Sequence, residues 1–209
     1  MARKISGLAG ERKRRENRLQ RSRLHPPLPG RLIITDLARG LDPLAQAAIL
    51  SAGDALIFRH YEWDRTQRES TGKILRIVCR EKKALFLVAG CPRLARALRA
   101  DGLHLPRWQL ARGWNRRGTI PPGWLVSAAV HNRAELHAAE NAGADMALLS
   151  PIFPTASHKG EKTLGSVQAA GLVSVSTIPV YGLGGINAIT QKRVRHIGFC
   201  GFAGSSPDQ

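Results

Sequence analysis

Two glycine-rich segments offer the clearest chemistry in this 209-residue chain. Gly182-Leu-Gly-Gly-Ile-Asn187 and Gly204-Ser-Ser206 each follow a short apolar run. A residue without a Cβ lets backbone N–H groups close on an anion, and a following helix N-terminus adds partial positive charge. Gly184, Gly185, Gly204, Ser205 and Ser206 are therefore candidate phosphate ligands; the alternative is that these glycines serve only tight turns. The long polar loop Ser150-Pro-Ile-Phe-Pro-Thr-Ala-Ser-His-Lys-Gly160 brings Thr155, Ser157, His158 and Lys159 as groups able to line such a site. His131 follows a further apolar run, and an imidazole can move a proton near neutral pH without a metal. Its other reading is a histidine that caps or packs at a strand–helix junction. His104 and Arg107 carry the same two readings, facing a pocket or packing.

These residues need a frame that gathers them. Short apolar runs at 31–35, 55–58, 84–88, 102–105, 124–130, 146–149, 178–181 and 201–203 read as eight strands. Helical patterns lie between several of them: from Ala45 to Ser51, from Arg65 to Glu81, from Pro92 to Ala100 and from Asn132 to Ala142. Pro92 suits a first helical turn. Asn132 reads as an N-cap with Glu135 as its capping-box partner, and Gly143 as the terminator. Strands this short, apolar on both faces and separated by helices, indicate a parallel sheet covered by helices. Eight units in sequence favour one closed (β/α)8 TIM barrel over an open sheet, with chemistry on the loops after the strands. Loops seven and eight are the usual phosphate site of such barrels. Asp145 then falls at a strand start, on the face that serves stability.

Pro26, Pro27, Pro29 and Gly30 set off an N-terminal tail, so the expected organisation is a tail over 1–30 and a barrel over 31–209. Up to residue 24 the tail holds nine Lys and Arg against Glu11 and Glu16, giving +7 of the chain's net +17. Such a run can meet nucleic acid or an anionic surface by charge alone. No aromatic residues interleave it for base stacking, and a solvated, disordered arm is the favoured reading. The basic stretch from Arg107 to Arg117, flanked by Trp108, Trp114 and Trp124, reads in the same way as an exposed solvated segment. No run approaches a membrane span and the N-terminus lacks a signal-peptide core, which points to the cytoplasm. Cys79, Cys91 and Cys200 are too dispersed for zinc and read as buried, reduced thiols.

The series Ser127-Ala-Ala-Val-His131, Ala142-Gly-Ala-Asp145, Pro151-Ile-Phe-Pro-Thr155, Ile178-Pro-Val180, Gly184-Gly-Ile186 and Gly201-Phe-Ala203 resembles the thiamine phosphate synthase superfamily, which includes the thiazole tautomerases. The resemblance implies an enzyme of thiamine biosynthesis with a small phosphorylated substrate. It places a thiazole phosphate on Gly184, Gly185 and Ser206, with Thr155, Ser157, His158 and Lys159 at the mouth. His131 stands where the tautomerase branch has its catalytic histidine, although synthases also keep a histidine there. His131, Lys159 and Arg59 become the catalytic candidates.

The departures lie on the other half of the site. Synthases have Gln-x-Arg-x-Lys after the second strand, where this chain reads Ile57-Phe-Arg-His-Tyr61 and keeps only Arg59. Ala89-Gly90 replaces an Asn-Asp pair whose Asp binds magnesium, and Gln109 replaces a second carboxylate. His60 and Tyr61 mark either an altered substrate or decay of the site. Without hard carboxylate ligands, a pyrophosphate leaving group loses its metal. The expected chemistry is metal-independent and of tautomerase type, without a cofactor. The alternatives are a divergent synthase that retains magnesium and a phosphate-binding paralogue without catalysis. No oligomeric state follows from these residues.

Overall fold

A computed structural model describes residues 26–36, 40–114, 116, 120–155, 162–187, 189–194 and 196–205. The elements alternate along the chain: β1 Arg31–Ile34, α1 Pro43–Ala48, β2 Ala55–Phe58, α2 Arg65–Glu81, β3 Leu85–Ala89, α3 Pro92–Ala97, β4 Gly102–Leu105, α4 Arg107–Ala111, β5 Leu125–Val130, α5 Arg133–Asn141, β6 Met146–Leu149, α6 Gly165–Val175, β7 Val180–Leu183, α7 Gln191–Val194 and β8 Gly201–Gly204. Every strand pairs in parallel with its sequence neighbours, and β1 closes on β8 through Leu32 opposite Ala203. The result is the closed (β/α)8 barrel expected from the alternation.

The two-residue period of each strand sorts its side chains between two apolar layers. Leu32, Ile57, Leu87, Leu125, Leu148 and Tyr181 fill the barrel interior. Ile33, Leu56, Phe58, Phe86, Val126 and Val130 face the helices instead. Fully burying one such side chain contributes about 1.5–3 kcal/mol. The parity also decides the site: Arg59 continues the interior series of Ala55 and Ile57, whereas His60 continues the outer series of Leu56 and Phe58.

The N-terminal face of the barrel is pinned by three aspartates that directly precede β2, β4 and β6. Asp54 accepts from Arg31 at 2.7 Å and from Ser51 N–H at 2.8 Å. Asp101 accepts from Arg76 at 2.6 Å and from Phe86 N–H at 2.8 Å. Asp145 accepts from Arg116 and from Val126 N–H, each at 2.8 Å, so its stability-face placement is observed. Beneath them the Tyr181 hydroxyl donates to Pro29 O at 2.7 Å, and Leu28 packs on the interior layer.

Several local expectations need correction. The helix after β1 starts at Pro43 because Asp42 caps it, its carboxylate accepting from Leu44 and Ala45 N–H. The helix after β3 stops at Ala97, where Arg99 turns to φ 51°. β7 begins at Val180 rather than Ile178, since Pro179 has no N–H to give the ladder. Helices α4, α6 and α7 have weak sequence signals; α6 has no side-chain N-cap hydrogen bond, and its sequence Gly-Ser-Val-Gln-Ala-Ala-Gly-Leu-Val-Ser-Val has no polar face. Cys79 is buried, and burial pushes its thiol up to about 12, but Cys91 is half-buried and Cys200 exposed. Cys91 caps α3 through its sulfur, and Cys200 sits on the connection into β8. Nor is the basic stretch simply solvated: Arg116 is held by Asp145 and by Trp124 O, while Trp114 and Trp124 pack on the outer layer. Among the described residues, no helix is long and apolar enough to cross a membrane.

Candidate functional site

The pairing of Leu183 with Ala203 brings the ends of β7 and β8 together, and with them Gly184, Gly185, Gly204 and Ser205. Gly184 and Gly185 adopt φ 90° and 64°, a left-handed pair that L side chains resist. Two consecutive N–H groups in such turns form an anion-binding concavity. Neither N–H donates to a backbone acceptor among the described residues. The loop after β6 folds over this pair: Ile152 N–H donates to Leu183 O at 3.0 Å and Phe153 N–H to Gly184 O at 3.1 Å. A Cβ on Gly185 would lie 2.5 Å from Pro154 O and 2.7 Å from Phe153 O, so close backbone approach is what demands glycine there. Thr155 is the next residue along this loop and is half-buried. Ser157, His158, Lys159 and Ser206 lie outside the described residues.

Two supports of this cup have no signal in the sequence. Gln46, buried on α1, donates its amide to Ile34 O and to Ser205 O at 2.6 Å, tying β8 to β1. Thr190 donates its hydroxyl to Gly185 O at 2.8 Å and accepts from Asn187 N–H at 2.9 Å. That turn stands between the glycines and α7, so the helix N-terminus does not follow the cup directly as expected.

Two strands from β7, β5 delivers His131 to the position just before Asn132, the N-cap of α5. Asn132 caps the helix as predicted, its side-chain oxygen accepting from Glu135 N–H at 2.9 Å. The reciprocal half is shifted by one residue, since Glu135 Oε2 accepts from His131 N–H at 2.9 Å rather than from Asn132. The same oxygen meets His131 Nδ1 at 2.8 Å. The other carboxylate oxygen takes Arg107 Nε at 2.7 Å and Asn132 Nδ2 at 3.1 Å. Arg107 therefore faces Glu135 across the α4–α5 gap.

The third group of candidates lines β2 to β4. Arg59 reaches Asp36 at 3.0 Å at the end of β1, on the barrel mouth. His60 is instead buried between sheet and helices, its Nδ1 2.9 Å from Thr35 Oγ1 and its ring 4.2 Å from Trp63. Its reading as a substrate-altering residue gives way to packing. Tyr61 lies against Gly90, where an added Cβ would meet the Tyr61 Cε1 at 3.0 Å, and Gln109 donates to Gly90 O at 2.7 Å.

His104 points into the interior, with Nδ1 2.9 Å from Ser127 Oγ. Burial, helped by the charge of Arg59, holds its pKa down to about 3. The unfolded chain takes up this proton from about pH 6.5 downward and the native state does not until near pH 3. Stability from this residue is therefore full above pH 6.5 and falls by roughly 1.4 kcal/mol per unit below it. A His104→Gln variant is expected to show a flatter loss of Tm between pH 6.5 and 4.5 than the parent; parallel profiles would refute the buried neutral state.

Comparison with known proteins gives a consistent result. Residues 32–207 match the family model described as thiamine monophosphate synthase. The chain is 30% identical over 179 residues to a thiamine-phosphate synthase of Chlorobium limicola, covering 85% of each. It is 32% identical over 157 residues to a bifunctional thiamine biosynthesis protein of Geobacter sulfurreducens, where it spans only 32% of that protein's length. Among solved structures, thiamine phosphate pyrophosphorylase from Pyrococcus furiosus superposes with TM-score 0.68 and 26% identity, over 85% of this chain and 88% of that one.

Proposed function

The chain belongs to the thiamine monophosphate synthase family, and from that premise we propose that it binds a thiazole phosphate in the β7–β8 cup and moves a proton on it without a metal. The observation that carries this reading is the unequal condition of the two halves of the mouth. The phosphate half retains its left-handed glycine pair beneath the β6 loop. The half that faces β2 to β4 offers no carboxylate at the positions where the resemblance would put magnesium ligands. Ala89, Gly90 and Gln109 occupy those positions; Gln109 donates its Nε2 to Gly90 O and keeps only a neutral amide oxygen, Oε1, buried without a hydrogen-bond partner among the described residues, and Tyr61 lies against Gly90. Among the described residues, no three His, Cys, Asp or Glu side chains gather as metal ligands. These residues do not fit the cation, and no step is routed through one.

In this reading Gly184, Gly185, Gly204, Ser205 and Ser206 hold the phosphate, with Thr155, Ser157 and His158 around it. His131 takes a proton from one ring position and returns it at another, so the substrate is isomerised with no net change in composition. Lys159 and Arg59 supply positive charge at the mouth. The names of the relatives favour a second reading, a divergent synthase that joins a pyrimidine pyrophosphate to the thiazole phosphate.

Thermal stabilisation separates the readings. Thiazole phosphate at a hundredfold excess over its dissociation constant is expected to stabilise the folded chain by about 2.7 kcal/mol, equally with and without Mg2+. Inorganic pyrophosphate with Mg2+ is expected to give no shift. A magnesium-dependent pyrophosphate shift would establish the synthase reading, and no shift with thiazole phosphate, thiamine phosphate or inorganic phosphate would remove the cup.

A further inference from the structure

We propose that Glu135 is a positioning residue that fixes the tautomer of His131 and leaves Nε2 as the nitrogen that exchanges the proton. The proposal rests on the role of His131 given above and deepens it. A carboxylate at 2.8 Å has no proton to give, so the hydrogen between it and Nδ1 belongs to the ring. An imidazole with its proton on Nδ1 is neutral at Nε2 and able to accept there. Glu135 can impose this because it cannot turn away. Its Oε2 also takes the His131 N–H, while Arg107 and Asn132 bind its Oε1 from two sides. All four donors come from the β5–α5 junction and from α4, so the carboxylate is set by two separate elements.

Electrostatics agrees with the geometry. Burial raises the Glu135 carboxyl, but the hydrogen bonds and charge of His131 and the bond from Arg107 outweigh it and hold the group below its usual range. It therefore stays ionised where an imidazole titrates. Glu135 from α5, and Arg107 from α4 through Glu135, are the charged groups recorded against His131 among the described residues.

Nitrogen-15 NMR of the His131 ring tests this with no turnover required. The parent protein is expected to show the Nδ1–H tautomer when the ring is neutral. Glu135→Ala is expected to move the ring toward the Nε2–H form that free imidazole prefers. Glu135→Gln, which keeps an acceptor but removes the charge, is expected to weaken the preference for Nδ1–H. In both variants kcat for thiazole phosphate isomerisation falls at least about tenfold, a part of the roughly 10²–10⁴ that a positioned acid–base group supplies, while KM holds. An unchanged tautomer in the variants overturns the proposal, and Glu135→Gln decides it if Glu135→Ala fails to fold. Absence of turnover in the parent protein would count against the isomerase reading alone, since the ring resonances still report on Glu135.

Discussion

His131→Asn is expected to lower isomerase turnover on thiazole phosphate by roughly 10²–10⁴, the range that a positioned acid–base group supplies. An asparagine can still meet the Glu135 carboxylate through its amide, so the junction between β5 and α5 keeps a donor there. What it cannot do is accept a proton near neutral pH and release it again. The proposed phosphate cup lies two and three strands away on β7 and β8, and no contact of His131 with it is recorded among the described residues. Stabilisation of the variant by thiazole phosphate is therefore expected to match the parent within error. Turnover by NMR and a thermal shift on the same preparation separate the two quantities. Unchanged turnover would take His131 out of the chemistry, whereas lost binding would mean that the ligand leans on it.

Gly185→Ala is expected to do the reverse, removing the ligand response together with part of the fold's stability. At φ 64° a Cβ meets its own backbone at a cost of about 1–2 kcal/mol. The added methyl would also lie 2.5 Å from Pro154 O and 2.7 Å from Phe153 O. Both are backbone atoms of a loop tied to β7 by the Ile152 and Phe153 hydrogen bonds, so relief requires moving the loop itself. Forcing a group into such a contact adds about 1–3 kcal/mol. The sum, about 2–5 kcal/mol, corresponds to a fall in Tm on the order of 4–20 °C for a chain of this size. Gly171→Ala is the matching control: it lies inside α6 with open space around its Cβ position and is expected to gain about 0.5–1 kcal/mol. Equal behaviour of the two variants would show that Gly185 is not held by close approach.

The two experiments address different kinds of residue, and the sequence treats them differently. Gly184-Gly185 and the Gly204 segment stand out in the sequence as a candidate phosphate cup because glycine has few local reasons to recur after two apolar runs. Their adjacency also follows once eight strands are counted, since sequential parallel strands become neighbours in a closed barrel. Gln46 and Thr190 were not legible. Gln46 bonds two backbone carbonyls, one of them 159 residues away and brought near only by the closed barrel, while Thr190 bonds Gly185 O through a local turn that residue type alone does not announce.

His60 and Arg59 make the same point from adjacent positions. As letters they look equally suited to a mouth, but a strand turns successive side chains to opposite faces, so Arg59 meets Asp36 at the rim and His60 packs on Trp63 behind the sheet. Cys91 and Cys200 fail the expectation of burial for a related reason: composition says nothing of which connection a residue falls on. The pattern of eight short apolar runs, the glycine pairs, the Asn132 cap and the missing carboxylates at Ala89, Gly90 and Gln109 were fixed by the sequence itself, because each depends on residue type or on spacing within one element. The Glu135 grip on His131, the Arg107 that steadies it, the Tyr61 that lies against Gly90 and the β6 loop that demands Gly185 depend on contacts between elements. Those distances are set by how eight strands close on one another, and that is where the tertiary structure decided what local pattern could not.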